Sequence, residues 1–256
     1  MCTLYAVFLW RRGFRQHNRV SYFLLLLGFV FHTLAIVGRG FSFSRCPVNN
    51  LYEAIAFVSW TIAASYLVIG AWPRFQSLGV FAAPMLFGIG VFALMPDLDP
   101  PFTGKPHFVG GWTSFHAASI LLAYGAFGLS TAAGLMYLTQ ERDLKLHRLR
   151  AVLSLMPPIQ RLELIVTRVM LAGFILLTVG LTIGGYNLKR TQIEFYRSDP
   201  KILWSAIVWM VYLGLLLMRW KFAQTGRRFV WGVVGTFAFV LLTFWGTNLL
   251  SGIHQQ

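Results

Sequence analysis

From Trp112 to Leu138 the chain runs for 27 residues without one Asp, Glu, Lys or Arg. At about 1.5 Å per residue a helix of that length exceeds the ~30 Å hydrocarbon core of a bilayer, so it can cross with some tilt. Its imidazole, His116, sits one turn in from Trp112. A ring at that depth costs free energy unless something coordinates or hydrogen-bonds it. His116 is therefore either a ligand to a bound group or an interfacial ring bonded to headgroups, water or a backbone carbonyl.

Composition extends that reading to the whole chain. Hydrophobic residues make up 57% and charged residues 12%, against roughly 25% charged in soluble domains, which indicates an all-α polytopic membrane protein. The net charge of +14 does not imply nucleic acid, because the 22 Lys and Arg residues fall mostly in short connectors between apolar runs. There they act as topology signals and headgroup anchors for a lipid bilayer. Cys2 and Cys46 form neither CxxC nor CxxCH, which argues against thiol-redox chemistry and against covalent haem attachment to this chain. The apolar start lacks a preceding basic region, so no cleavable signal peptide is expected.

Taken in order, Met1–Trp10 is apolar but too short to span and reads as an interfacial anchor or the end of a longer helix. Seven full transmembrane helices are expected, at about Val20–Val37, Leu51–Gly70, Leu78–Leu94, Trp112–Leu138, Leu162–Gly184, Ile202–Met218 and Phe229–Leu250. The loop MPDLDPPFTGKPHFVGG is broken by Pro and Gly, and the connector Glu141–Arg161 is basic and expected to lie partly helical on the membrane surface. No internal repeat or second domain is apparent.

Alternate connectors carry unequal positive charge. One set holds 14 Lys and Arg residues, including Arg11, Arg74, Arg142, Arg161 and Arg227. The other holds seven: Arg39, Arg45, Lys105, Lys189, Arg190, Arg197 and Lys201. This bias puts the first set in the cytoplasm and the C-terminus outside. His107, His116, the loop Tyr186–Lys201 and His254 then share the external face.

His116 and His254 lie at the outer ends of two spans and can approach one ligand from opposite sides. Two neutral imidazoles suit the iron of a haem, or another borderline metal. Lys189, Arg190, Arg197 and Lys201 either pair with haem propionates or bind lipid phosphates. Trp112, Tyr186, Phe195 and Tyr196 either stack on a macrocycle or belong to an interfacial aromatic belt. Other polar positions read as structural. Asn50 and Glu53 have capping-box spacing, and Asp199-Pro200 reads as an N-cap followed by Pro at the first helical position. Arg168 can snorkel, and His32 is either a packing residue or an internal ligand. No Walker loop, zincin helix or nucleophile elbow is present.

Five stretches in order, NNLYEAIAFVSW (49–60), FHAASILLAYGAFGLSTAAGLMYLTQERDLK (115–145), GFILLTVGLTIGG (173–185), SDPKILWSAIVWMVYLGLLLMR (198–219) and FWGTNLLSGIHQQ (244–256), resemble the CcsA/ResC cytochrome c assembly family and its HemX-like relatives. The resemblance implies a single transmembrane domain over residues 1–256, in a bacterial inner membrane. It implies non-covalent haem, held by His116 and His254 at the external face and transported or presented to apocytochrome c. It also implies a membrane partner subunit of the maturation machinery. The family's tryptophan-rich motif, WGxxWxWD, is degenerate: Gln192, Tyr196 and Ser198 stand at the tryptophan positions, and only Asp199-Pro200-Lys201 survives of its end. Leu217 replaces a further expected His, and the terminal HSY pattern is HQQ. These departures point to the HemX-like branch, associated with tetrapyrrole biosynthesis.

Two functions of different class follow. One is a haem-handling component of c-type cytochrome biogenesis that breaks no bond itself, the cofactor supplying the chemistry. The other is a regulator or scaffold acting on haem synthesis through Glu141–Arg161. A solute transporter is disfavoured, because no span has the broken-helix pattern of a midplane site.

Overall fold

The computed structural model describes residues 2–12, 19–43, 50–94, 111–146, 157–190 and 200–250, and every regular element among them is helical. Among the described residues eight α-helices follow in order: α1 (Cys2–Arg12), α2 (Arg19–Phe43), α3 (Leu51–Gly70), α4 (Gly79–Ala93), α5 (Gly111–Lys145), α6 (Ile159–Arg190), α7 (Pro200–Lys221) and α8 (Arg227–Leu250). Six helices, α2 to α7, are long and apolar enough among the described residues to cross a membrane, α4 together with the end of the 3₁₀ turn before it. A bilayer leaves no other way to satisfy so many backbone groups. The seventh expected span, α8, is a 24-residue helix whose described side chains end at Thr243.

Local chemistry sets the helix ends. Asn50 Oδ1 accepts the backbone N–H of Glu53 at 2.7 Å and opens α3 as an N-cap. A 3₁₀ turn, Pro73–Leu78, carries Pro in its first turn and joins α3 to α4. α7 begins at Pro200, as the Asp-Pro pair predicts. The turn between α7 and α8 contains Gly226 at φ 73°, a left-handed conformation that suits glycine.

α5 is the axis of the bundle. The most apolar window of α5 is 83% buried, whereas that of α2 is 6% buried. It packs along α6 for most of its length, and also on α3, α8 and α4. Close approach depends on glycine. A Cβ on Gly128 would stand 2.5 Å from Ile62 Cδ1 and 3.0 Å from Phe237 Cζ, and one on Gly134 would stand 3.0 Å from Val230. Small residues at such contacts are how membrane helices gain packing without a hydrophobic drive between them. At the centre, Phe127 of α5 stacks on Tyr212 of α7. The outer surface of α2 is apolar, with Phe23, Leu27, Phe31 and Leu34 exposed as expected of a lipid-facing helix.

One side-chain arrangement occurs twice. On α2, Thr33 bonds back to the Phe29 carbonyl, while Trp60 of α3 donates its indole N–H to Thr33 and stacks on Phe29 at 5.1 Å. On α6, Thr178 bonds back to Phe174, while Trp209 of α7 donates to Thr178 and lies 5.4 Å from the Phe174 ring. Each Phe-x-x-x-Thr segment thus presents a ring and an acceptor one turn apart, and the next helix in the chain reads both with one Trp.

Several expected boundaries move outward. α2 continues to Phe43, which takes Arg39 out of the predicted loop and onto a helix. α5 continues seven residues past Leu138 to Lys145. α6 passes through Gly184 and Gly185 to Arg190, so Lys189 and Arg190 belong to its last turn and not to a loop. Lys201 likewise sits in the first turn of α7. The reason is common to all four. A helix satisfies its own backbone hydrogen bonds and need not stop where the apolar run stops, and Gly38, Gly184 and Gly185 keep negative φ.

Candidate functional site: His116 and the end of the bundle around it

His116 lies in the second turn of α5 and is half-buried against α6. Its Nδ1 is 2.6 Å from the Gly180 carbonyl oxygen. A carbonyl can only accept, so Nδ1 carries the hydrogen of that bond. In the neutral ring Nε2 is then left with a lone pair, the form in which imidazole binds metals. Helix α6 provides the seat. A Cβ on Gly184 would approach His116 Nδ1 to 2.7 Å and Nε2 to 3.3 Å. The ring therefore occupies the volume a larger residue at 184 would need.

This seat is one step of a continuous antiparallel register. Gly173 faces Phe127, Gly180 faces Ile120 and Gly184 faces His116, each pairing close enough that a Cβ on the glycine would fall inside ordinary contact distance. The three glycines are seven and four residues apart, so they line one face of α6. The opposing residues 127, 120 and 116 line one face of α5. On another side of α5, Gly134 faces Val230 and Gly128 faces Phe237 of α8. Carried to the end of the helix, that register brings residues 248–249 of α8 level with His116.

The remaining predicted site residues divide. Trp112 is one turn from His116 toward the helix start and is 64% exposed, and Tyr186 on α6 is 66% exposed. Both are free of the core and available at that end of the bundle. Lys189 and Arg190 are placed by the α6 backbone at the same end, and nothing is described of their side chains. His254, Tyr196, Arg197, Asp199, Phe195 and His107 lie outside the described residues. Among the described residues no group of three His, Cys, Asp or Glu side chains gathers as a metal cluster.

Two features escaped the sequence reading. Arg39 Nε donates to Glu53 Oε1 at 2.9 Å, with the Glu53 side chain fully buried and the Arg39 guanidinium 5.2 Å from the Tyr52 ring. Glu53 is thus more than a cap. It ties α2 to the bundle at the same end as His116. The second feature is a small apolar cleft lined by Ile55, Val58, Ile89, Tyr124, Phe237 and Val240, where α3, α4, α5 and α8 meet. His32 sits on the inward stripe of α2 with Leu25, Phe29 and Ile36, half-buried, and among the described residues no hydrogen bond engages it.

Fold and site together define a polytopic helical membrane protein with an imidazole hydrogen-bonded to a backbone carbonyl of the neighbouring helix at one end of its bundle. The chain belongs to the Cytochrome C assembly protein family, whose pattern matches residues 48–254. It is 26% identical to the cytochrome c biogenesis protein CcsA of Prochlorococcus marinus (strain MIT 9515), over 94% of this chain and 84% of that protein. Similar matches are to CcsA of Gloeothece citriformis (strain PCC 7424), 24% identical over 82% and 78% of the two chains, and to CcsA of Synechococcus sp. (strain CC9605), 26% identical over 87% and 82%.

Proposed function

We propose that this protein binds haem non-covalently through His116 and His254 and takes part in c-type cytochrome biogenesis. One observation carries the reading: the Gly180 carbonyl fixes His116 in the tautomer whose Nε2 is free to bind a metal. The α8 register supports it, since the helix that leads to His254 ends level with His116. Bound haem supplies its iron and vinyl groups, and the chain's own part is to hold, orient and partly desolvate it. Trp112 and Tyr196 would stack on the haem, Lys189, Arg190 and Arg197 would pair with its propionates, and Asp199 would belong to the same cofactor-binding set.

The two-to-one distribution of Lys and Arg supports an orientation with this end of the bundle on the external face of a bacterial inner membrane and the C-terminus outside. α8 serves as the seventh span, and residues 1–256 form one domain. The site would be completed by a membrane partner subunit and used by apocytochrome c. Gln192, Tyr196 and Ser198 in place of tryptophans favour the HemX-like branch, and with it the second reading, a regulator or scaffold of haem synthesis.

The test is the absorption spectrum of the purified full chain. A Soret band that weakens in both His116→Ala and His254→Ala supports haem binding. A wild-type spectrum in either variant sinks the two-histidine site. A colourless protein whose loss changes haem-precursor levels supports the regulator.

A further inference from the structure

We propose that Gly180 and Gly184 of α6 are positioning residues for the metal–histidine bond at His116, through a backbone carbonyl that selects its tautomer and a missing side chain that seats its ring. The inference rests on the haem reading above but makes a claim of its own: α6, and not the helix bearing the ligand, sets how that ligand presents its nitrogen.

A free neutral imidazole exchanges its proton between the two nitrogens, and either can bind metal. At 2.6 Å the Gly180 carbonyl holds the proton on Nδ1, so Nε2 alone is open. That contact requires the ring to lie against the α6 backbone, which Gly184 permits. A methyl group at 184 would crowd Nδ1 at 2.7 Å and push the ring off the carbonyl, whereas a Cβ at the adjacent Gly185 meets nothing within 4 Å. The pair 184 and 185 therefore separates the seat from the general effect of losing a helical glycine.

The seat also explains why the carbonyl is available. Gly180 remains within the α6 hydrogen-bonded ladder, and its oxygen accepts the imidazole as a second donor from the side that faces α5. A residue with a side chain at 180 would place its Cβ 2.7 Å from Ile120 Cγ1, so α5 and α6 would separate at this level. Gly180 thus sets the interhelix distance and Gly184 the room for the ring.

The experiment uses the full chain, first without haem. Histidine labelled with ¹⁵N is read by NMR, with the His116 signals assigned by their loss in His116→Ala. The expected wild-type result is a protonated Nδ1 and a bare Nε2. Gly184→Ala is expected to lose that preference and to bind added ferric haem about tenfold more weakly, the scale on which supporting partners of metal-bound histidines act, while Gly185→Ala keeps both. A protonated Nε2 in the wild type, or identical behaviour of the 184 and 185 variants, overturns the proposal. Should Gly184→Ala not fold, the wild-type tautomer still decides. A wild type with the expected tautomer that takes up no haem overturns the haem reading and leaves the seat standing.

Discussion

Arg39 and Glu53 form an ion pair, Nε to Oε1 at 2.9 Å, that joins the least buried spanning helix to the bundle. The Glu53 carboxylate is fully buried and the Arg39 side chain is 24% exposed, so neither is well solvated. Removing one partner takes this ion pair away from a poorly solvated charge. Glu53→Ala is expected to destabilise the protein by about 3–5 kcal/mol, and the double change Arg39→Met with Glu53→Met should cost less than that. Thermal unfolding in detergent measures both. Equal losses in the single and double variants would show that the carboxylate has another essential partner.

The Trp–Thr contacts predict a graded response. Trp60→Phe and Trp209→Phe each remove an indole donor but retain a ring against Phe29 or Phe174. Each threonine keeps its bond to its own helix, so no acceptor is orphaned. The cost should be about 0.6–1.7 kcal/mol each, between the mean and the maximum found for side-chain hydrogen bonds within membranes. Trp→Ala at either position should cost about 3–5 kcal/mol. The two sites join different helix pairs, so the double Phe variant should equal the sum of the singles within about 0.5 kcal/mol. Denaturant titration checks this, and a strongly non-additive double variant would show that the two helix pairs communicate.

Much of this fold is legible without coordinates, and the illegible part has a physical pattern. Apolar runs disclose helices because a bilayer permits little else, and Asn50 and Pro200 mark their starts by chemistry local to the chain. Helix ends are less visible, because α2 and α6 run on through Arg39 and Arg190 into the headgroup region. Of the site, His116 is visible because an imidazole at that depth demands a partner. The partner itself is a backbone carbonyl, which every residue possesses, so nothing in the type of residue 180 announces it. Gly184 is hidden for a related reason: in GFILLTVGLTIGG nothing distinguishes the seat at 184 from the open position at 185. Only the α5–α6 register does. The Arg39–Glu53 pair is likewise set by tertiary placement, across a connector of unrelated sequence.

The orientation of the chain can be checked directly. With Cys2 and Cys46 replaced by Ser, single changes Thr113→Cys in the first turn of α5, Ser251→Cys after α8 and Gln224→Cys between α7 and α8 report three positions along the chain. A membrane-impermeant maleimide applied to intact cells is expected to label 113 and 251, and to reach 224 only after permeabilisation, as the distribution of Lys and Arg requires. Labelling of 113 and 251 from opposite sides would separate His116 from His254 and end the shared-ligand proposal.

At the end of the bundle away from His116, Glu163 of α6 gathers three helices. Its Oε1 accepts from Arg219 Nη1 of α7 at 2.6 Å and from the Gly226 backbone N–H at 3.2 Å, beside the start of α8. Arg219 also donates to the Gln224 carbonyl at 3.3 Å and lies 5.5 Å from the Phe229 ring. One carboxylate thus fixes both the end of α7 and the turn into α8. Both side chains are mostly buried, at 16% and 20% exposed, so the pair should exceed the 0–1 kcal/mol of a surface ion pair. Glu163→Ala is expected to cost about 2–4 kcal/mol, because it removes the counter-charge of a mostly buried guanidinium and the acceptor of the Gly226 N–H together. Glu163→Gln should cost less, since an amide oxygen still accepts from Gly226. Gly226→Ala should add about 1–2 kcal/mol of left-handed backbone strain at φ 73°. Because α8 leads toward His254, loosening this turn should also raise proteolysis between α7 and α8 before the Soret band is affected. Limited trypsin digestion, read at the peptide bonds after Lys221 and Arg227, distinguishes that order from global unfolding, in which cleavage and loss of the spectrum would coincide.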